Sequence, residues 1–540
     1  MFSFLFYKDR QINSQMIYIA LLMTVSGISG SFMATIISEV AEDIITNKLI
    51  NAYYILPLFL LFFVILFFSR RLGLRWGVHH VECLLEISRN KIGNQLRQTT
   101  LSNIEKLNQG EIYTKLTVDT KKIARASISF IRAIQAIVII IIVMMYILSF
   151  SFTAGLIFLS LFGIGLFFYQ INYRLLLERI DEMTHEETKL YDDFGHVLDG
   201  FKELKLNPDK NEDFYHNYLL PLSKHVNMLR ISIGKQYVDI NAFCLFFLHY
   251  LLFGIVVYML PLNYSVALRF KIIAMSVFLY EPIEYLKVAI PEILLAKVSI
   301  HRIQDLENKL NSFCVCSENI SQTIKPKIVF NKLQLDNIQF RYTDQEGNKT
   351  FGIGPINTCI NIGEIVFFVG GNGSGKSTLL KLISGLYPPY SGAFILNDKE
   401  INIVDHRHLF SVVYSDCYIF DRLYGVKNFD DQLIIDLLKL MEIDHKVKWK
   451  SQQFNHSGLS TGQKKRLAFI TAIIDDRPIY ILDEWAAEQD PGFKKKYYTE
   501  LLPMLKKKGK TIISATHDDQ YFHIADQVLI MKYGQLKQQS

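Results

Sequence analysis

Long apolar stretches alternate with polar segments along the first part of the chain. They lie at Met16–Ile37, Tyr53–Ser69, Ile134–Phe150, Thr153–Tyr173, Ala242–Leu260 and Ile272–Leu295. Each is long enough for an α-helix to cross the roughly 30 Å hydrocarbon core of a bilayer. The pattern predicts six membrane-spanning helices, with the third and fourth joined as a tight hairpin. The first stretch is too long for the core of a cleavable signal, so we expect it to be retained.

The polar segments between these stretches are unequal in length. The two longest, about Arg70–Ser127 and Tyr173–Gln236, contain no helix-breaking cluster in their main runs. We therefore expect them to continue the preceding membrane helices as helical extensions. The first is rich in lysine and arginine, whereas the loop between the first two spans has Lys48 as its basic residue. Basic residues favour the cytoplasmic side, so both long segments and both termini are predicted to be cytoplasmic. Arg269 and Lys271, in a predicted outer loop, mildly oppose this topology.

From Pro326 the pattern changes to short β-rich runs and helices, which is typical of an α/β domain. The sequence predicts a multidomain chain, with an all-α six-helix transmembrane domain at 1–302, a linker at 303–325 and the α/β domain at 326–540. Composition supports the membrane assignment. Hydrophobic residues make up 50% of the 540 residues, and the mean hydropathy is +0.19. A soluble protein of this size would normally lie below zero.

The α/β segment contains a P-loop. A predicted buried strand, Ile365–Val369, precedes the run Gly-Gly-Asn-Gly-Ser-Gly-Lys-Ser-Thr. Glycines let backbone N–H groups turn inward and cradle phosphates at the N-terminus of the next helix. Lys376 would reach the β- and γ-phosphates, and the Ser377 hydroxyl would hold Mg²⁺. The predicted ATP-binding residues here are Gly370, Asn372, Gly373, Gly375, Lys376, Ser377 and Thr378.

A second buried apolar run, Ile479–Leu482, ends in the carboxylates Asp483 and Glu484. Asp483 is placed to organise Mg²⁺, and Glu484 can polarise an attacking water. Many strands end in acidic residues, so this pattern is weak alone. It gains weight because it follows a P-loop in the expected order.

The string Leu-Ser-Thr-Gly-Gln at residues 459–463 stands before the predicted helix Lys464–Ile474. It resembles the signature Leu-Ser-Gly-Gly-Gln of ABC ATPases, with Thr461 in place of the first glycine. The resemblance implies that Ser460, Gly462 and Gln463 bind the γ-phosphate held by the P-loop of another copy. Two ATP molecules would then lie between two ATPase domains, and the chain would pair with a second copy of itself.

Three further matches follow in the family's order. Tyr342, in Phe-Arg-Tyr, resembles the aromatic residue that stacks on adenine. Asp490 matches the aspartate that communicates across the dimer. His517 follows the predicted strand Thr511–Ala515 and resembles the histidine that contacts the γ-phosphate.

One position departs from the pattern. ABC ATPases carry a glutamine between the P-loop and the signature, where it contacts Mg²⁺ and senses the membrane domain. Ser415 stands at the matching position in Val-Tyr-Ser-Asp. Serine is shorter, so Ser415 or Asp416 is expected to contact the metal through water.

A narrower resemblance rests on four strings. They are Gly-Phe-Lys-Glu-Leu-Lys-Leu-Asn from Gly200, Tyr-Ser-Asp from Tyr414, Leu-Ser-Thr-Gly-Gln-Lys-Lys-Arg-Leu-Ala from Leu459, and Asp-Glu-Trp-Ala-Ala-Glu-Gln-Asp-Pro from Asp483. These strings resemble the cyclic-peptide and siderophore exporters, a family associated with syringomycin, the pyoverdine precursor and microcin.

The resemblance implies a half-transporter in the bacterial inner membrane that acts as a homodimer. It would use ATP and Mg²⁺ to export a peptide or siderophore-type molecule, with membrane lipid around it. A lipid flippase and an ATP-gated channel or regulator are the alternatives. Nucleic-acid ABC proteins lack membrane spans, so nucleic acid is not an expected partner.

The sixth predicted span contains ionisable residues. Glu281, Glu284 and Lys287 recur every three residues and share roughly one helical face. Such groups at membrane depth usually face a bundle interior or a wet cavity, so they are candidates for a substrate cavity. The alternative is that the span starts and ends elsewhere and that these residues lie in a cytoplasmic extension.

Overall fold

The structure is a computed structural model that describes residues 10–46, 52–107, 109–246, 254, 266–313, 329–343, 349–426 and 430–538. The described residues fall into two compact units. A helical unit comprises Met1–Gly93 and Gln109–Asn308. An α/β unit comprises Asn94–Asn108 and Lys309–Ser540. A short piece of the first polar segment therefore packs with the α/β unit, although it lies far from that unit in sequence.

Helices form the whole described part of the helical unit. In chain order they are α1 (Arg10–Ile45), α2 (Ala52–Gln98), α3 (Leu101–Ile104, in the α/β unit), α4 (Gln109–Thr114), α5 (Thr120–Phe150), α6 (Phe152–Asp199), α7 (Phe201–Leu206), α8 (Pro208–Asp213), α9 (Leu220–Leu245), α10 (Val266–Phe278) and α11 (Tyr280–Phe313). Two π-helical turns, Lys115–Asp119 and Phe214–Leu219, precede α5 and α9.

Four helices in the described part of the chain are long and apolar enough to cross a membrane. They contain the first four predicted spans. Most of the fifth, Ala242–Leu260, lies outside the described residues. The sixth is divided at Leu279, where α10 ends and α11 begins.

The expected helical extensions are confirmed. α2 runs for 47 residues and α6 for 48 residues without interruption. At 1.5 Å per residue each is about 70 Å long, more than twice the hydrocarbon thickness of a bilayer. The hairpin between α5 and α6 is also confirmed. Ser151 is its sole connecting residue, and its hydroxyl caps α6 by accepting from the Ala154 N–H.

Lys271, whose charge opposed the predicted topology, has partners inside the helical unit. Its Nζ lies 3.0 Å from Glu42 Oε2, and it stands over the rings of Tyr146 and Phe150 at 5.4 and 5.3 Å. These residues belong to α10, α1 and α5, at ends that the topology places on the same outer side. A paired cation is less costly there than a free one, so this lysine is compatible with the predicted orientation.

α11 extends beyond the predicted membrane domain. It continues to Phe313, and its residues Ile303, Leu306 and Leu310 are buried. The first part of the segment that the sequence suggested as a polar linker is therefore helical and packed. A three-to-four-residue apolar spacing explains this packing, and the many charged residues between those positions concealed it.

The α/β unit is built on two sheets and a hairpin. Its strands are β1 (Lys332–Thr343), β2 (Lys349–Asn361), β3 (Ile365–Val369), β4 (Ser391–Leu396), β5 (Lys399–Ile401), β6 (Phe410–Val413), β7 (Val447–Lys450), β8 (Gln453–His456), β9 (Ile479–Asp483), β10 (Thr511–Ala515), β11 (Gln527–Lys532) and β12 (Gln535–Gln538). Its longer helices are α12 (Lys376–Ile383), α13 (Asp431–Leu440), α14 (Thr461–Asp475), α15 (Pro491–Lys496) and α16 (Leu502–Lys507).

The central sheet has the strand order β12-β11-β3-β10-β9-β6 within the described residues. Strands β11, β3, β10, β9 and β6 run parallel, and β3, β9 and β10 are buried along their whole length. Fully apolar strands of this kind are typical of parallel sheets covered on both faces. The strands predicted at Ile365–Val369 and Thr511–Ala515 are confirmed.

Glu484 is the first residue after β9, and Trp485 is the second. Trp485 anchors α14 to the sheet. It is 1% exposed, its ring stacks on Tyr497 at a centroid distance of 4.6 Å, and its Nε1 donates to the Lys465 carbonyl at 2.9 Å. A buried indole N–H with a partner contributes both packing and a satisfied hydrogen bond.

We expect Trp485→Phe to lower the free energy of unfolding by about 1–3 kcal/mol, because it leaves the buried Lys465 carbonyl without this donor. Thermal unfolding of the purified full chain, followed by fluorescence, measures the effect. Trp449→Phe is the matched control, since Trp449 is only partly buried and donates to Asp431 near the surface. Equal melting shifts in the two variants would contradict the anchoring role.

Candidate functional site

The loop after β3 has a backbone that only glycine fits at two positions. Gly370 has φ 157°, and a Cβ there would lie 2.3 Å from the Met531 carbonyl oxygen. Gly375 has φ 104°, and its Cβ would lie 2.7 Å from Ile353 Cγ2. Gly375 directly precedes α12, so the loop delivers its N–H groups to a helix N-terminus. This arrangement is an anion site for phosphates.

Lys376, the first residue of α12, has its ammonium group inside this loop. The side chain is 4% exposed. Its Nζ donates to the carbonyls of Gly370 and Gly371 at 3.0 and 3.2 Å, and it lies 3.4 Å from Glu484 Oε1. The cation is therefore held where phosphate oxygens would meet it.

Ser377 and Asp483 provide adjacent oxygen ligands. The Ser377 hydroxyl donates to Asp483 Oδ1 at 3.1 Å, and Asp483 is 1% exposed. Burial raises the pKa of the Asp483 carboxyl, and the hydrogen bond from Ser377 opposes that shift. A hydroxyl and a buried carboxylate side by side are a donor set that suits Mg²⁺, so the residues present fit this ion.

Glu484 and His517 meet beside Lys376. His517 Nε2 lies 3.1 Å from both Glu484 Oε1 and Lys376 Nζ. Glu484 has φ 47°, a left-handed backbone that is uncommon for a non-glycine residue and is often found at functional sites. Burial would raise the pKa of the Glu484 carboxyl, but His517 and Lys376 outweigh it and hold that pKa below its ordinary value. Glu484 is therefore an anion at neutral pH.

Lys376, Ser377 and Glu484 border an open cavity of about 490 Å³. It is lined by Phe351, Asn372, Gly373, Ser374, Gly375, Lys376, Ser377, Thr378 and Glu484. Sequence reasoning missed Phe351. The antiparallel register of β1 and β2 places Phe351 opposite Tyr342. This pairing is not evident from the sequence between the two residues.

Ser460, the first residue of the predicted signature site, caps α14. Its hydroxyl accepts from the Gln463 N–H at 3.3 Å, and Gln463 Oε1 accepts from the Ser460 N–H at 3.1 Å. This reciprocal pair is a capping box. Gly462 packs so tightly that a Cβ would lie 2.6 Å from the Glu488 carbonyl oxygen.

Sequence reasoning did not single out Lys465, Arg466 and Gln489, which join α14 to the segment after β9. Lys465, 2% exposed, donates to the Glu484 carbonyl at 3.0 Å. Arg466 donates to Gln489 Oε1 at 2.8 Å and to Asp490 Oδ2 at 2.7 Å. Asp490 also caps α15 by accepting from the Phe493 N–H at 2.9 Å, the main cause of its lowered pKa. These contacts fix α14, the helix that Ser460 caps, to β9 and the residues that follow it, where Asp483 and Glu484 lie.

Residues 353–487 match the ABC transporter family. A putative ABC transporter ATP-binding protein of Clostridium acetobutylicum is 32% identical over 212 residues, which cover 35% of this chain and 83% of that protein. The chain belongs to the ABC transporter family. Its α/β unit is an ABC ATPase whose ATP hydrolysis is coupled to transport across a membrane.

Two other matches extend over most of the chain. The ATP-binding protein SyrD of Pseudomonas syringae pv. syringae is 29% identical over 459 residues, covering 81% of this chain and 79% of SyrD. A bacterial Atm1-family ABC exporter solved with ATP bound has a TM-score of 0.74 at 16% identity, covering 98% of this chain and 95% of that one. This chain therefore has the fold of an ABC exporter, with a multi-pass helical region followed by the ATPase, as predicted.

Tyr342, the predicted adenine partner, lies on β1 next to the ABC ATPase's phosphate loop. Its hydroxyl is 3.2 Å from Thr378 Oγ1 and 3.4 Å from Tyr387 Oη. Phe351, its strand partner, lines the cavity with the P-loop residues. Both aromatic residues therefore belong to the surroundings of the nucleotide site, and stacking of Tyr342 on adenine stays a prediction.

Ser415 and Asp416 form an exposed turn that Tyr414 separates from the end of β6. Neither is among the described residues that line the phosphate cavity. Burial, together with the charges of Asp483 and Asp416, raises the pKa of the phenol of Tyr414, the residue before this turn. Water-mediated contact of Ser415 or Asp416 with the ion stays a prediction.

The charged residues predicted for the sixth span have partners within the helical unit. Glu281 accepts from Arg70 at 3.1 Å and from Tyr285. Lys287 pairs with Glu284 at 2.6 Å. A role of these residues in a substrate cavity and their alternative place in a cytoplasmic extension both stay predictions.

We expect Gly462→Ala to lower kcat by roughly tenfold to a hundredfold, because the added methyl displaces the start of α14 from the Glu488 backbone at a cost of about 1–3 kcal/mol. ATP hydrolysis by the full chain in nanodiscs measures it. Gly492→Ala is the matched control, since its Cβ makes an ordinary 3.4 Å contact with Asp490. Similar activities for the two variants would contradict the tight-packing requirement at Gly462.

Ser415→Gln tests the departure from the family pattern. We expect it to lower the Mg²⁺ concentration that gives half-maximal ATP hydrolysis, because a longer side chain can place an amide oxygen on the ion without a bridging water. A Mg²⁺ titration of hydrolysis is the measurement, with Ser391→Gln at the exposed start of β4 as control. An unchanged titration would show that position 415 does not approach the metal.

Proposed function

We propose that the chain is one half of an ATP-driven exporter, acting as a homodimer that moves a peptide or siderophore-type molecule out of the cytoplasm. One observation carries the proposal. The P-loop, Asp483, Glu484 and His517 form a connected cluster, whereas no signature residue is among the described residues that line the phosphate cavity. Each chain thus has both halves of an ATP site, but in separate places.

A second copy would complete the site. The N-terminus of α14 presents backbone N–H groups and the positive end of the helix dipole, both of which favour a phosphate. Docked on the P-loop of another copy, it would close the ATP between the two chains. Because one chain contains every predicted phosphate-binding element, two equal copies would form two equal sites, which supports a homodimer.

The hydrolytic step follows from the contacts around Glu484. Lys376 would hold the β- and γ-phosphates in the loop that already surrounds its ammonium group. The Glu484 carboxylate, ionised at neutral pH, would accept a proton from the attacking water, and His517 would keep that carboxylate in place and contact the γ-phosphate. Ser377 and Asp483 would hold Mg²⁺, which neutralises phosphate charge when bound.

The long helices support an exporter cycle. α2 and α6 continue from the membrane spans well beyond the bilayer thickness, so closure and opening of two ATPase units could be transmitted to the membrane part as alternating access. The fold shared with a bacterial Atm1-family ABC exporter supports export over import. The peptide or siderophore-type cargo rests on the resemblance of the four strings at residues 200, 414, 459 and 483 to that exporter family.

We expect Glu484→Gln to reduce ATP hydrolysis by roughly a hundredfold or more while leaving ATP binding intact, because the amide cannot accept the water's proton. The variant should accumulate as an ATP-closed dimer. Hydrolysis by wild type and variant in lipid nanodiscs, with a panel of cyclic peptides, siderophores and lipids, is the measurement. Crosslinking between copies reports closure.

The panel separates the alternatives. Stimulation by one peptide-like compound supports the exporter and identifies its cargo class. Stimulation by lipid alone would support a flippase. Absence of hydrolysis in the wild-type chain under every condition would support an ATP-gated channel or regulator, and unchanged turnover in Glu484→Gln would contradict the assigned base.

A further inference from the structure

A short piece of the first polar segment belongs to the ATPase unit. Residues Asn94–Asn108 pack with the α/β unit although they precede it by more than two hundred residues. Leu101, on α3, packs against the hydrophobic core that contains Tyr387 and Phe340. One residue after α3 stands Glu105, whose carboxylate points into a group of tyrosine and lysine side chains.

Both oxygens of Glu105 are used. Oε2 accepts from the Tyr387 hydroxyl at 2.5 Å, and Oε1 lies 3.0 Å from Lys381 Nζ. Lys381 also donates to the Tyr387 hydroxyl at 3.2 Å. The Glu105 side chain is 40% exposed, so the ion pair alone would contribute little. The hydrogen bond from Tyr387 to Glu105 differs from this exposed ion pair. Tyr387 is 1% exposed, and its hydroxyl has little access to water as an alternative acceptor.

The Tyr387 hydroxyl continues the connection toward the nucleotide site. It lies 3.4 Å from the Tyr342 hydroxyl, which in turn lies 3.2 Å from Thr378 Oγ1. The rings are fixed as well. Tyr387 stacks on Phe340 at 4.9 Å, and Tyr342 meets Tyr387 edge-on at 5.8 Å. A hydrogen-bonded path therefore joins Glu105 to the aromatic residue beside the P-loop helix.

We propose that Glu105 is a positioning residue for the nucleobase, which holds Tyr387 and through it the ring of Tyr342 in the orientation that adenine stacks on. This inference rests on the proposed role of Tyr342. It makes the first cytoplasmic segment a determinant of affinity for the base, separate from the residues that hold the phosphates. By linkage, binding of the base must in turn stabilise the segment around Glu105.

The distinction between base and phosphate gives the test. ATP contains both, whereas tripolyphosphate lacks the base. With the full chain in nanodiscs, we expect Glu105→Gln to raise the KM for ATP about threefold to tenfold, since the charged acceptor of the Tyr387 hydroxyl becomes a weaker, neutral amide oxygen. The kcat and the inhibition constant of tripolyphosphate should stay unchanged. Tyr387→Phe, which keeps the stacked ring, should likewise raise the KM for ATP and leave the kcat and the inhibition constant of tripolyphosphate unchanged.

Glu111→Gln is the matched control, because Glu111 is a carboxylate in the same polar segment that pairs with a lysine, Lys115 at 2.6 Å, within the helical unit. The double variant Glu105→Gln/Tyr387→Phe should be no worse than either single variant, as expected for residues of one path. ATP, but not tripolyphosphate, should slow hydrogen exchange of residues 99–107.

Three results would overturn the inference. An equal loss of affinity for ATP and tripolyphosphate would mean that Glu105 acts on the phosphate loop through Lys381. An unchanged KM in both Glu105→Gln and Tyr387→Phe would mean that the path has no effect. If Tyr342→Ala leaves the KM for ATP unchanged, the nucleobase role of Tyr342 itself fails. The proposed exporter ATPase would survive that failure if Glu484→Gln still abolishes ATP hydrolysis and leaves ATP binding intact.

Discussion

The parallel pairing of β3, β10 and β9 is the constraint on which the ATP site depends. Residues paired in register along parallel strands reach the same edge of the sheet, and the three strands are neighbours in that order. β3 leads into the phosphate loop, β10 into His517, and β9 into Asp483 and Glu484. Because all three strands are buried from end to end, a slip in register would expose apolar side chains. The hydrophobic core thereby fixes distances of about 3 Å between Lys376 and His517 and between Ser377 and Asp483, which are more than one hundred residues apart.

Local motifs were predictable because their chemistry is local. The phosphate loop, the acidic strand end and the capped signature helix each occupy a short run whose backbone and side chains interact within that run. The strand Ile365–Val369 followed from five consecutive apolar residues between Glu364 and Gly370, and Thr511–Ala515 was expected from its position just before His517. The two-part architecture followed from the contrast between long apolar stretches and short β-rich runs.

Contacts between distant segments could not be predicted in the same way. Phe351 lines the cavity because an antiparallel register brings it to Tyr342, and Arg466 reaches Gln489 and Asp490 across two elements. Glu105 and Tyr387 are separated by 282 positions. No spacing rule connects such pairs, since their contact depends on how whole elements pack. The helical continuation of α11 to Phe313 was hidden for a related reason, because burial of Leu306 and Leu310 among charged residues appears only in the folded chain.

The capping box at Ser460 has a consequence for assembly. Ser460 and Gln463 satisfy each other's backbone groups within a single chain, so the first turn of α14 is already rigid before any partner arrives. Two surfaces that are ordered in advance lose less conformational entropy when they associate. More of the free energy of ATP binding would then remain available to drive the work of moving a solute, and less would be spent on ordering the interface.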